Sequence, residues 1–173
     1  GAAGGHACYH GTPMVPRNGR CLVCLRTPTR EVLQIVTQRA DSSAAQALDI
    51  TAGDDVHVFH GISKSDDVPV ALFKSVFDAQ RFPELKVNLE QYSSVTQALA
   101  ACGVMDYTRR WTQITAVLAD PVQANHLKIK SGDPLMRATS LNTDASGTPV
   151  EFGSTHFVGD RIQLTYDDDP SPN

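Results

Sequence analysis

A chain of 173 residues, 41% apolar and 20% charged, has the composition of one globular domain with a real core. Its formal net charge of −4 and the absence of any basic run exclude a surface that grips nucleic acid by itself, which needs Lys and Arg clustered against phosphates. No apolar stretch approaches the length of a membrane span and no signal peptide is visible, so a reduced, cytoplasmic setting is the expectation.

Residues 1–26 scatter Gly, Pro and Arg without periodicity and read as an irregular lead-in or linker remnant. They open Gly1-Ala2-Ala3-Gly4-Gly5 without Met, which suggests a partner domain upstream. Cys21-x-x-Cys24, with Cys8, His6 and His10, has the ligand types for zinc. Structural zinc usually wants two well-spaced pairs, whereas a free Cys is more often a small buried hydrophobe. No metal and no cofactor is expected.

Residues 32–38 are β-branched and apolar and read as a strand. Asp41 caps a short helix with Ala44, Ala45 and Leu48 on one side, and Gly53 closes the turn. Residues 56–64 and 69–77 are strands around the polar turn Ser65-Asp66-Asp67. Arg81-Phe82-Pro83 breaks the chain before a connector. There Ser93 or Ser94 opens a helix carrying Val95, Ala98, Leu99 and Cys102, and Gly103 ends it. A long strand at 107–118 is followed by Asp120-Pro121, a cap with Pro at the first helical position, and by a helix ended by Gly132. Strands at 135–142 and 148–157 flank the turn 144–147, a last strand covers 162–166, and 167–173 is an acidic tail.

The chain contains its own duplicate. Ala40-Asp41, Ala45-x-x-Leu48-x-Ile50-x-x-Gly53-Asp54, Pro69-Val70 and Phe77 recur as Ala119-Asp120, Ala124-x-x-Leu127-x-Ile129-x-x-Gly132-Asp133, Pro149-Val150 and Phe157. The offset is 79 residues before the hairpin turn and 80 after it. Two copies of so long a period do not make a solenoid, which needs several stacked units. They predict an α+β domain: two pseudo-symmetric β-α-β-β units sharing a six-stranded, mostly antiparallel sheet with helices on one face.

No Ser elbow, phosphate-binding glycine loop or His-Glu-x-x-His is present. His126 reads as a solvent-facing helix residue, while His57 and His156 suit structural roles in strands. Alternation puts Ala71, Phe73, Ser75 and Phe77 on one face, matched by the repeat to Glu151, Gly153, Thr155 and Phe157. Gly61 and Ser63 share a face of the neighbouring strand, and Tyr107, Arg109, Trp111 and Gln113 alternate along another. An Arg fork on such a face suits a small anion, although Arg109 and Glu151 could equally form an ordinary ion pair.

The repeated Leu-x-Ile-x-x-Gly-Asp and the block Pro149-Val150-Glu151-Phe152-Gly153-Ser154-Thr155-His156-Phe157-Val158-Gly159-Asp160-Arg161 resemble the UTRA domain, the effector-binding domain of HutC-type GntR-family transcription regulators. Val56-His57-Val58-Phe59, residues 69–77 and Asp106-Tyr107-Thr108-Arg109 are most similar to its phosphonate-metabolism regulators. The resemblance covers 27–166 and implies a chorismate-lyase-like fold, a homodimer, and a winged-helix DNA-binding domain outside this sequence. It implies a small anionic effector (a phosphonate, phosphate ester or carboxylate) bound by a loop at Thr29 and Arg30, a basic residue at Arg109 and a carboxylate at Glu151. Gly61 and Ser63 stand where many relatives have an Arg-x-Arg pair, and Phe73 where they have an acidic residue. Tyr107, His156 and Phe157 complete the candidate effector-binding set. Enzymatic activity is not expected; the alternative is a chorismate-lyase-like enzyme on the same fold, since fold alone does not fix function.

Overall fold

The computed structural model describes residues 20–22, 28–92, 94–163 and 165–167. In chain order these form β1 (Arg20–Leu22), β2 (Pro28–Arg39), α1 (Ser42–Leu48), β3 (Asp55–Ser65), β4 (Val68–Asp78), α2 (Leu85–Gln91), α3 (Val95–Ala101), β5 (Tyr107–Leu118), α4 (Pro121–Leu127), β6 (Pro134–Asp144), β7 (Pro149–Val158) and β8 (Thr165–Asp167). The candidate zinc residues Cys8, Cys24, His6 and His10 lie outside the described residues, as does the side chain of Cys21.

Most duplicated residues close the helical loop of each unit. Asp41 Oδ1 accepts from Ala44 N at 2.8 Å, and Asp120 Oδ1 from Gln123 N at 2.8 Å. Gln123 Oε1 in turn accepts from Asp120 N at 3.1 Å, completing a capping box. Ala40 N donates to Asp54 O (2.8 Å) and Gly53 N to Ala40 O (3.1 Å); Ala119, Asp133 and Gly132 repeat the pair at 2.9 and 2.8 Å. Gly53 closes the turn as expected, but Gly132 does not end its helix, although the sequence suggested that it would. Asp49 (φ 58°) and Lys128 (φ 56°) take the left-handed position that ends each helix, and Gly53 and Gly132 serve the turn beyond.

Six strands form one sheet in the order β2-β3-β4-β7-β6-β5, with every pairing antiparallel. Lys74 pairs with Ser154, its own repeat equivalent, so the pseudo-twofold axis passes between β4 and β7. The repeated Pro-Val is a bulge: registers jump from Ser63↔Ala71 to Lys64↔Pro69 and from Asn142↔Glu151 to Thr143↔Pro149, leaving Val70 and Val150 as the extra residues. Arg20–Leu22, inside the segment expected to be irregular, pairs with Thr165–Asp167 in a separate two-stranded ribbon.

The repeat helices lie on one face of the sheet, as the duplication predicts. There α1 packs on Val58, Val76 and Phe152, and α4 on Ile62, Leu72, Leu135 and Val158. The opposite face is roofed at one end by α2 and α3, the first of which the sequence did not resolve as a helix. Their Leu85, Leu89, Ala98 and Leu99 bury against Phe59, Phe77 and Val150. Each Leu, Val or Phe side chain fully withdrawn from water stabilises the fold by about 1.5–3 kcal/mol. Beyond this roof the connector face stays open, and candidate chemistry is concentrated there.

Candidate functional site

Arg30 and Arg109 are repeat equivalents, 79 residues apart. Each begins the same cross-strand row: Arg30↔Ser63↔Ala71 in one unit and Arg109↔Asn142↔Glu151 in the other. Paired residues direct their side chains to the same side, so both rows face the connector side of the sheet. The two halves differ in what fills them.

The first half is filled by aromatic rings. Phe59 and Phe73 meet edge to face at 5.1 Å, and the Arg30 guanidinium lies 5.6 and 5.1 Å from their centroids. A Cβ at Gly61 would sit 2.5 Å from Glu31 O and 2.6 Å from Phe73 Cζ, so the glycine is what lets the ring occupy this space. The guanidinium in this half thus comes from β2, with Gly61 and Ser63 on β3 supplying none.

In the second half the same positions hold Ala138 for Phe59, Gly153 for Phe73 and Ser140 for Gly61. The rings are gone, and polar groups take their place. Glu151 Oε1 accepts from Ser75 Oγ at 2.6 Å, and Oε2 accepts from Asn142 Nδ2 at 2.7 Å. Asn142 is only 1% exposed, and its Oδ1 has no hydrogen-bond partner. Arg109 Nε, on the facing residue of β5, is also buried without a partner. Burial pushes the Arg109 guanidinium below its ordinary value, against the opposing pull of Glu151 and Tyr107. A guanidinium does not lose its proton at neutral pH, so the shift marks a charge short of solvation. No ion pair within 4.0 Å joins Arg109 to Glu151, which removes the ordinary-ion-pair reading. Tyr107 packs against the connector core and bonds Thr96 Oγ1 through its hydroxyl at 2.9 Å, tying this end of β5 to α3.

Arg109 and Glu151 therefore share one half, while Arg30, Gly61, Ser63 and Phe73 belong to the other. Phe157 is buried on the same face with Ala71 and Ala138, as floor. Two candidates need correction, because the strand pleat carries them to the α1/α4 face. Thr29 pairs with Lys64 and is exposed there, and His156 pairs with Leu72 and Arg137 near α4. Burial, then Arg137, lowers the His156 pKa. Asn142 and Ser140 were missed. Their signal lay in the repeat, as the equivalents of Ser63 and Gly61.

A cavity of about 700 Å³ opens on the α1/α4 face, between Trp111, Leu141 and Phe152 of the sheet and Gln46 and Asp49 beside α1. It contains none of the candidate residues. Volume and chemistry thus point to different faces. The buried, unpartnered polar atoms of the connector face decide for the latter, since such atoms are costly unless something bonds them. Among the described residues no cluster of His, Cys, Asp or Glu could hold a metal ion, and no helix is long and apolar enough to cross a membrane.

The UTRA domain family model matches residues 25–163. The chain is 34% identical over 125 residues to an uncharacterised helix-turn-helix-type transcriptional regulator of Rhizobium meliloti (strain 1021), covering 72% of this chain and 51% of that protein. It thus spans about half the length of this curated relative. Its fold is similar to PhnF from Mycobacterium smegmatis (TM-score 0.73, 23% identity, 79% of this chain and 60% of that one). The ligand-binding domain of a GntR-family transcriptional regulator from Bordetella bronchiseptica is also similar (TM-score 0.72, 20% identity, 95% and 99%). With its α+β, chorismate-lyase-like fold and with relatives that are regulator domains rather than enzymes, the chain belongs to the UTRA domain family.

Proposed function

We propose that the chain is the effector-sensing and dimerising domain of a bacterial GntR/HutC-type transcription repressor that controls phosphonate metabolism in the cytoplasm. The observation that carries this reading is the open half of the connector face, where Arg109 and Glu151 share one row without pairing with each other. Likeness to PhnF and the resemblance of residues 56–59 and 69–77 support the phosphonate assignment. A second copy is supported by β5, an edge strand that exposes Ile114 (50%) and Leu118 (72%).

Effector contacts regulate only if they differ between two arrangements of the dimer, because a ligand shifts an equilibrium by its differential affinity and nothing else. Anion contact at Arg109, at the start of β5, would bias how the connector and that edge are held. DNA-binding heads borne by the rest of a longer protein would read the change. Isothermal titration with phosphonates, phosphate esters and dicarboxylates tests the reading, with saturable binding to at least one class expected. Silence across the panel would overturn it.

A further inference from the structure

The open half holds two opposite charges and two orphan atoms, each in a defined place. Arg109 and Glu151 stand two strands apart, roughly 9–10 Å between backbones, with Asn142 between them in the same row. Asn142 gives its amide N–H to Glu151, which fixes the orientation of the amide and leaves Oδ1 as an acceptor. That acceptor is buried and unpartnered, and Arg109 Nε beside it is a buried, unpartnered donor. Each Glu151 oxygen accepts one bond, from Ser75 or Asn142, so lone pairs remain on both.

A simple anion satisfies only Arg109. It leaves the Asn142 acceptor orphaned and places a second negative charge beside Glu151. A simple cation has the converse fault. Resting on the effector-domain reading above, we propose that this half-site takes a short zwitterion, an amine-bearing phosphonate or carboxylate. Its anionic group would lie on Arg109 and its ammonium on Glu151 and Asn142 Oδ1. Asn142 is then a specificity-determining residue, since it stands between the two charges in the row. At Gly153 a Cβ would meet nothing nearer than Ser140 Oγ at 3.3 Å, with Glu151 Oε1 and Lys74 O at 4.0 Å, whereas the equivalent position in the other half carries the Phe73 ring.

Calorimetric titration with 2-aminoethylphosphonate, ethylphosphonate, ethylamine and β-alanine separates the possibilities. One of the two zwitterions should bind at least about tenfold tighter than ethylphosphonate or ethylamine, the gain of one charge-assisted hydrogen bond. Glu151→Gln should erase that preference, and Arg109→Gln should weaken the binding of zwitterions and ethylphosphonate alike. If ethylphosphonate binds as well as the zwitterions, the orphan atoms satisfy each other or a water. The zwitterion assignment then falls while the anion-sensor reading stands. If none of these probes nor the wider anion panel binds, both fall. The comparison among ligands uses the unaltered chain, so it does not depend on any variant folding.

Discussion

Arg81 and Arg161, 80 residues apart, make the same bond with exchanged partners: Arg81 Nη1 donates to Pro149 O at 2.6 Å, and Arg161 Nη1 donates to Pro69 O at 2.6 Å. Each arginine follows the last strand of its own unit and reaches the bulge that begins the last strand of the other. The two units are thereby tied across the pseudo-twofold axis, beyond the β4–β7 ladder itself.

Arg161 also donates to Leu127 O (2.8 Å) and Lys128 O (3.3 Å), the carbonyls where α4 ends. Arg161→Ala strands these acceptors at a partly buried site and should cost about 2 kcal/mol. Arg161→Lys should recover only part of that, because an ammonium lacks the planar fork. Urea midpoints for the three proteins check this, and a loss for Arg161→Ala within the scatter of wild type would refute it.

Filled and open halves should respond differently to an added methyl group. Gly61→Ala drives a Cβ to 2.5 Å from backbone Glu31 O and 2.6 Å from a packed ring, and should destabilise by about 1–3 kcal/mol or more. Gly153→Ala meets Ser140 Oγ at 3.3 Å, a hydroxyl that can rotate, and Glu151 Oε1 and backbone Lys74 O at an ordinary 4.0 Å. It should melt close to wild type while losing affinity for the effector. Equal melting losses in the two variants would contradict the asymmetry.

Acid should loosen the fold in two windows. His57 is buried, bonded through Nδ1 to Thr37 Oγ1 at 2.8 Å and through Nε2 to Phe82 O at 3.1 Å. Burial lowers its pKa from 6.5, and burial likewise lowers those of His60 and His156. Groups depressed in the folded state give stability that is complete above their unfolded pKa. It is lost as pH falls through 6.5 toward the folded values, because the unfolded chain takes up protons first. Asp144, held by the Ser146 hydroxyl and then by Arg81, is lowered from 3.8 to about 2, so its contribution fades only in that lower window. Melting temperature measured from pH 8 to pH 3 should fall first below about pH 6.5, with a shallower slope in His57→Asn. An unchanged slope would assign the loss to other groups.

The β3–β4 turn carries removable strain. Asp66 (φ 50°) and Asp67 (φ 64°) both occupy the left-handed region, as a two-residue hairpin of this twist demands. Asp67→Gly should stabilise by about 0.5–1 kcal/mol, since glycine takes that conformation without a Cβ penalty. Thermal melting reads the change, and a lower melting temperature would show that Asp67 contributes more than its backbone.

By itself the sequence determined the architecture, because what it encodes there is local. Asp41 and Asp120 cap helices within three residues, strand alternation sorts faces, and the duplicate fixes that both units do so alike. Strand bounds at 107–118 needed no tertiary information. Even the asymmetry was partly legible, in Ala71 against Glu151 and Phe73 against Gly153. The sequence reads Gly132 as the end of α4, whereas Lys128 takes the left-handed position that ends it. The resemblance puts Thr29 and His156 in the site, whereas the pleat sends them to the face opposite that of their neighbours Arg30 and Phe157. Only the tertiary structure decided which half is open. Whether a ring fills the space above Gly61, and whether Arg109 meets Glu151 or stops short of it with Asn142 between, depends on strands brought together from across the chain. No local pattern records that spacing.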